Sequence, residues 1–242
     1  MTIVVTGATG KLGRLTIDSL ISRGTAPGDI VAAGRDTGRL AELEPLAVRT
    51  AQIDLEDGSG LAGAFAGADT VLLVSASEPG NRVALHTAAI DAAQRAGVGR
   101  IVYTSAPHAD TSQLVLAPEH KATELIIAAT GIPYTFLRNG WYTENYAGDL
   151  ETASQTGVIA KSTGDGRVAS AARADYAEAA AVALIAGATG NEIYELSGDV
   201  AWTFSDLAAA FTAALGRDVV YQPLSPEQER EQLLSYGLDE GT

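Results

Sequence analysis

The chain has 242 residues, enough for one large domain or a domain with a small lobe, and 46% of them are hydrophobic. Its formal charge of −14 argues against nucleic acid or an anionic membrane as partner, because either would be repelled. The chain has no cysteine for disulfide or thiolate chemistry, no apolar run of membrane-spanning length, and no Lys/Arg-flanked apolar opening segment, so a cytoplasmic protein is expected.

Ile3, Val4 and Val5 form a β-branched run without a polar face, as expected of a strand buried on both sides. Gly7, Gly10 and Gly13 follow at three-residue spacing, and Leu12, Leu15, Ile17, Leu20 and Ile21 continue on a helical period. Strand, glycine-rich turn and helix are the setting of a dinucleotide fingerprint. Gly7 allows the tight turn, Gly10 the approach of a pyrophosphate, and Gly13 close packing of helix on strand. The new helix would point its unpaired N–H groups and positive dipole end at the phosphates.

A second strand over 30–33 ends in Gly34-Arg35-Asp36, where such folds meet the adenosine ribose. Arg35 suits a 2′-phosphate and hence NADP(H), since a guanidinium grips phosphate through two parallel bonds. Asp36 is the competing signal for NAD(H), the less favoured cofactor. A third strand over 48–53 brings Asp54 to an adenine edge or leaves it as an exposed loop acid. A short helix over 61–66 precedes a strand over 70–74, whose carboxyl end carries Ser75, Ala76 and Ser77.

An amphipathic helix over 81–96 closes at Gly97 and carries His86 as an ordinary helix residue. A strand over 100–104 leads to a helix from Ala117 to about residue 129, with His120 in its first turns. The sixth strand, 133–137, is followed by Arg138, Asn139, Gly140, Trp141, Tyr142, Thr143, Glu144, Asn145 and Tyr146. Aromatic bodies with polar tips suit a cleft for a flat organic ligand, or else an aromatic cluster seating one lobe on the other. From about Asp149 the strand–helix alternation loosens. Arg173 leads into an alanine-rich helix, where Asp175 and Glu178 have capping-box-like spacing. A strand over 193–196, a helix from Ser205, a strand over 219–221 and a charged helix over 225–234 complete the chain. The expected fold is a doubly wound parallel α/β sheet of Rossmann type over 1–150, with a small α/β substrate-side lobe over 151–242 interleaved with it. No set of residues suggests a metal site.

Bound nicotinamide brings its own hydride, so the protein must hold an acceptor and manage one proton. No tyrosine here has a lysine four residues on, and Lys11, Lys121 and Lys161 are the only lysines, so the acid–base pair of alcohol and ketone reductases is missing.

The segments TGATGKLG, GRD, LLVSASE, EHKATE, PYTFLRNGWYTENY and GDGRVASAARADYAEAA occur in that order. Together they resemble the NmrA-like branch of the atypical short-chain dehydrogenases, and within it the type 2 NAD(P)H:quinone oxidoreductase group, with triphenylmethane dye reductases as near relatives. The resemblance implies a Rossmann domain for NADPH and a small lobe forming a quinone pocket. By motif position it assigns Gly7, Ala8, Thr9, Gly10, Lys11 and Leu12 to the pyrophosphate and Arg35 to the 2′-phosphate, with Ser75 in the cofactor cleft; Thr6 and Asp54 are further candidate cofactor contacts. It runs Arg138, Asn139, Gly140, Trp141, Tyr142 and Thr143 beside the nicotinamide, adds Arg173, and gives Tyr142, Asn145 and Tyr146 to the substrate.

The implied reaction is direct hydride transfer to a quinone or similar small aromatic acceptor, its proton coming from water, Tyr142 or His120. A non-catalytic NADP(H)-binding redox sensor is the alternative, and homodimer formation is left open. Members of this group usually carry a further C-terminal stretch, of roughly two helices of 10–12 residues each, whereas this chain stops at Gly241-Thr242, which would bear on the substrate pocket rather than on the cofactor site.

Overall fold

The computed structural model describes residues 1–76, 80–187 and 190–237; Ser77, Glu78, Gly241 and Thr242 lie outside the described residues. The larger unit begins β1 (Ile3–Val5), α1 (Lys11–Ser22), β2 (Ile30–Gly34), α2 (Thr37–Ala41), β3 (Arg49–Gln52), α3 (Leu61–Phe65) and β4 (Thr70–Leu73). It continues with α4 (Arg82–Ala96), β5 (Arg100–Ser105), α5 (Ala117–Ala129) and β6 (Tyr134–Asn139). Then come α6 (Ala147–Thr156) and β7 (Val158–Lys161), a return through α7 (Arg173–Ile185) and β8 (Glu192–Leu196), and finally α8 (Phe204–Leu215), β9 (Val220–Pro223) and α9 (Pro226–Ser235).

Among the described residues, seven strands pair in parallel in the order β3-β2-β1-β4-β5-β6-β8. The order reverses between β1 and β4, and in open α/β sheets ligands bind at that point, outside the strands' carboxyl ends. Alternation along the strands builds two cores. Val4, Val31, Leu73 and Ile101 face Phe65 of α3 and Ala89, Ile90 and Ala93 of α4. Ile3, Val5, Ala32, Leu72 and Val102 face Ile17 and Leu20 of α1 and Ala180, Ala181 and Leu184 of α7. Ile17 and Leu20 are fully buried, each stabilising the fold by about 1.5–3 kcal/mol. The alanines of α7 let it lie close to α1.

The chain separates into two compact units, one made of Met1–Gly140 with Ala172–Leu196 and the other of Trp141–Ala171 with the chain from Ser197 on. The division therefore differs from a single cut after residue 150. β8 extends the main sheet beside β6, and α7 covers its α1 face, so both stay with the larger unit. In the smaller unit β7 and β9 pair in parallel, and Ile159, Phe204, Leu207, Phe211 and Val219 form a separate core.

Three local differences from the sequence expectation have physical causes. β6 runs to Asn139 because β8 supplies partners for Arg138 and Asn139, so these two residues end a strand rather than follow it. α6 buries only Ala153 and so shows no apolar stripe in sequence. Asp175 is structural as expected, accepting from the Ala172 N–H at 3.0 Å, whereas Glu178 instead pairs with Arg23.

Candidate dinucleotide site

The site is built by the turn after β1. Thr6 donates its hydroxyl to the Leu72 carbonyl at 3.0 Å and accepts the Val74 N–H at 3.0 Å, tying the ends of β1 and β4 together. Gly7 has φ +61°, which L side chains rarely adopt. At Gly13 a Cβ would lie 2.3 Å from the Gly7 carbonyl oxygen, so helix and turn can approach only there without a side chain. The expected result for Gly13→Ala is a loss of about 1–3 kcal/mol in stability together with weaker dinucleotide binding, read by thermal melting and calorimetry. An unchanged melting temperature and affinity would contradict this packing role.

α1 opens at Gly10 with no side-chain cap, leaving the donors of its first turn to an external acceptor. A cavity of about 550 Å³ lies at this end of the sheet. Of the residues expected at the cofactor, Thr6, Gly7, Thr9, Gly10, Arg35, Asp54 and Ser75 line it. Ala8 does not: it is fully buried and spends its N–H on the Ala33 carbonyl at 3.0 Å. Lys11 and Leu12 stand at the start of α1 outside the lining, with Leu12 buried.

Charged side chains gather in the cavity wall at the end of β2. Asp36 also lines the cavity, and as the N-cap of α2 it accepts the Arg39 N–H at 3.1 Å through one carboxylate oxygen. Arg35 and Arg39 both line the cavity, and both side chains are 65% exposed, with Glu56 3.7 Å from Arg35 and Asp36 3.7 Å from Arg39. Arg39 was missed in the sequence, although its i+4 spacing from Arg35 is visible there. Asp54 accepts the Glu56 N–H at 2.9 Å, which fixes the loop after β3.

Two expected site residues are buried among side-chain partners. Arg138 is 6% exposed. Its guanidinium donates to Glu124 at 3.0 and 2.8 Å, to Asp110 at 2.8 Å and to Glu195 at 2.9 Å, and it is not in the lining of the cavity. His120 is 6% exposed and meets the Tyr103 hydroxyl through Nδ1 at 2.7 Å. Burial, with Arg82 nearby, lowers its pKa to about 4, which favours the neutral ring. Asn139 and Gly140 close β6, Gly140 donating its N–H to the Leu196 carbonyl at 2.8 Å, while Arg173 is the first residue of α7.

In the smaller unit Trp141, Asn145 and Tyr146 line a second cavity of about 560 Å³, with Phe204, Lys161 and Arg167 among its other walls. Tyr146 packs edge-on against Trp202 and Phe204, at centroid distances of 5.0 and 5.8 Å, so the aromatic stretch also feeds this unit's core. Tyr142 bridges to Ala171 through its backbone, and Thr143 meets the Ser170 hydroxyl at 2.8 Å. Among the described residues no cluster of side chains could hold a metal ion, and no helix is long and apolar enough to cross a membrane.

Parallel sheet, switch-point cavity, uncapped helix and glycine turn together define a dinucleotide-binding α/β protein of Rossmann type. The chain belongs to the NAD(P)H-binding family, whose model matches residues 7–186. It is 45% identical over 240 residues to quinone oxidoreductase 2 of Escherichia coli K12, covering 99% of this chain and 83% of that protein. The solved structure of the NADPH-dependent quinone oxidoreductase of Escherichia coli complexed with NADPH matches with a TM-score of 0.92 over 99% of this chain and 84% of that one, at 45% identity. The Citrobacter sp. triphenylmethane reductase complexed with NADP(H) matches with a TM-score of 0.92 at 36% identity, over 99% of this chain and 85% of that one.

Proposed function

We propose that the protein is an NADPH-dependent oxidoreductase that reduces quinones or similar conjugated acceptors. The observation that carries the cofactor choice is the pair of guanidinium groups, Arg35 and Arg39, in the cavity wall at the end of β2, beside an Asp36 that has one carboxylate oxygen engaged in capping α2. When bound, reduced nicotinamide supplies the hydride. The chain's own tasks are then few. The open donors of α1 and the glycine turn take the pyrophosphate, and the two guanidinium groups take the 2′-phosphate. Aromatic surface from Trp141 and Tyr146, with Asn145 as a polar tip, suits a flat acceptor. A quinone is electrophilic enough to need little acid help, which accords with the missing Tyr/Lys pair, and Tyr142 is the proton donor we propose in place of His120. The charge of −14 supports an enzyme without a nucleic-acid partner.

The test is loss of reduced-nicotinamide absorbance with NADPH or NADH and a small quinone. Turnover that prefers NADPH is expected. Replacing Arg35 by alanine should weaken NADPH binding about 10- to 150-fold, corresponding to a charge-assisted bond of roughly 1.5–3 kcal/mol, and leave NADH nearly unchanged. Equal NADPH affinity in wild type and variant would remove that assignment, and tight NADPH binding without reduction of any acceptor would favour a redox sensor.

A further inference from the structure

The segment after β4 forms one wall of the dinucleotide cavity through Val74, Ser75 and Ala76. Its three successive N–H groups are each taken by a side chain rather than by another strand. Val74 donates to the Thr6 hydroxyl, Ser75 to the Thr104 hydroxyl at 2.9 Å, and Ala76 to Nε2 of His86 at 2.9 Å. The Ala76 carbonyl accepts from Nε of Arg82 at 2.9 Å, so α4 holds both polar groups of this residue with two side chains one turn apart. Arg82 is in turn fixed by Glu119 of α5 at 2.6 Å, and Glu119 also accepts the Gly80 N–H at 3.0 Å.

We propose that His86 is a positioning residue of the dinucleotide site, acting through Ala76 and locked as the Nδ1–H tautomer. The tautomer follows from the chain of donors. Ala76 donates to Nε2, so Nε2 bears no proton. The Thr123 hydroxyl donates to the Glu119 carbonyl at 2.9 Å, which leaves its oxygen to accept from Nδ1–H across 3.0 Å. His86 is fully buried, its ring edge-on to Tyr103 at 5.3 Å, so neither ring nitrogen is left to solvent. A leucine of similar bulk would keep the packing and lose the acceptor. The Ala76 N–H would then have no partner, and the cavity wall would have to be ordered by the ligand itself.

The proposal rests on the cavity being the dinucleotide site, and its test separates the two. In the wild-type chain, nitrogen chemical shifts of the His86 ring should report a protonated Nδ1 and a bare Nε2; the opposite tautomer overturns the clamp whether or not NADPH binds. His86→Leu should weaken NADPH binding about three- to tenfold, speed hydrogen exchange at Ala76, and change kcat at saturating NADPH by less than about twofold. His86→Gln, whose side-chain oxygen can replace Nε2 as acceptor, should restore most of the affinity. Equal affinity and Ala76 exchange in wild type and His86→Leu, or failure of glutamine to do better than leucine, would overturn the positioning role. Absence of NADPH binding by the wild-type chain would instead overturn the dinucleotide reading.

Discussion

Replacing Arg138 by leucine is expected to destabilise the larger unit by about 3–5 kcal/mol, the usual cost of leaving one partner of a buried ion pair alone. Glu124 is the partner left behind. It is 6% exposed, it receives two bonds from Arg138, and it also accepts from the Ser105 hydroxyl at 2.6 Å. Asp110 and Glu195, the other carboxylates on the guanidinium, are more than a third exposed at their side chains and can turn to water. The loss should therefore be concentrated on Glu124. Adding Glu124→Gln to Arg138→Leu should recover part of it, whereas Glu124→Gln alone in the wild-type chain should be costly, giving an interaction energy of about 1–3 kcal/mol in the double-mutant cycle. The melting temperature of the single variant should fall by roughly 10 °C. Because Arg138 does not line the cavity, NADPH affinity of the folded variant at low temperature should stay close to that of the wild type. A large loss of affinity with little loss of stability would return Arg138 to the cofactor.

That reassignment marks where the sequence stops being informative. The turn from Thr6 to Gly13 was legible because its constraints are local: a positive φ at Gly7 and the approach of Gly13 to the Gly7 carbonyl are written in the residues themselves. Arg35 was legible through its place at the end of β2, and Asp36 was ambiguous only because a helix cap and a ribose acceptor use the same side chain. The Arg39 N–H, three residues on, engages one of its oxygens, and Asp36 lines the cavity together with Arg35. Arg138 could not be read this way. Whether β6 ends at 137 or 139 depends on β8, which pairs with it from more than fifty residues further along, and its carboxylates come from α5, β8 and the loop after β5. His120 fails for a related reason. The sequence puts His120 in the first turns of a helix, but only the packing of α5 on β5 shows that its ring meets Tyr103 in the interior. Trp141, Asn145 and Tyr146 stand out in the sequence as aromatic bodies and polar tips after a strand, and in the structure they line the smaller unit's cavity, with Tyr146 also packed against that unit's core.

Acidification supplies the other large expected effect. Burial holds the pKa of His86 at about 3, with His120 and Arg82 adding repulsion, and that of His120 at about 4. In the unfolded chain both return to about 6.5. For a base whose folded pKa lies below its unfolded value, the unfolded state binds more protons, so stability is present above pH 6.5 and is lost as pH falls towards the folded pKa. At pH 5 each ring costs about 2 kcal/mol relative to pH 7.5, so the larger unit should lose roughly 4 kcal/mol, with a limiting slope of about 2.7 kcal/mol per pH unit below pH 6. The carboxylates with lowered pKa, Asp57, Asp206 and Glu227, contribute in the same direction but only near and below their unfolded values around 4.

The choice of probe matters. Trp141 and Trp202 both lie in the smaller unit, so tryptophan fluorescence reports on the wrong part of the chain. Hydrogen exchange at the core amides of β1, β4 and β5, followed from pH 7.5 to 5 and corrected for intrinsic rates, measures the unit that carries the histidines. The opening free energy of those amides should fall by about 4 kcal/mol over that range, and by about half as much in His86→Gln, which keeps the acceptor for Ala76 but cannot titrate. An opening free energy independent of pH over this range would mean that both rings take up protons without leaving the fold, and would contradict the neutral, buried state that their hydrogen bonds describe.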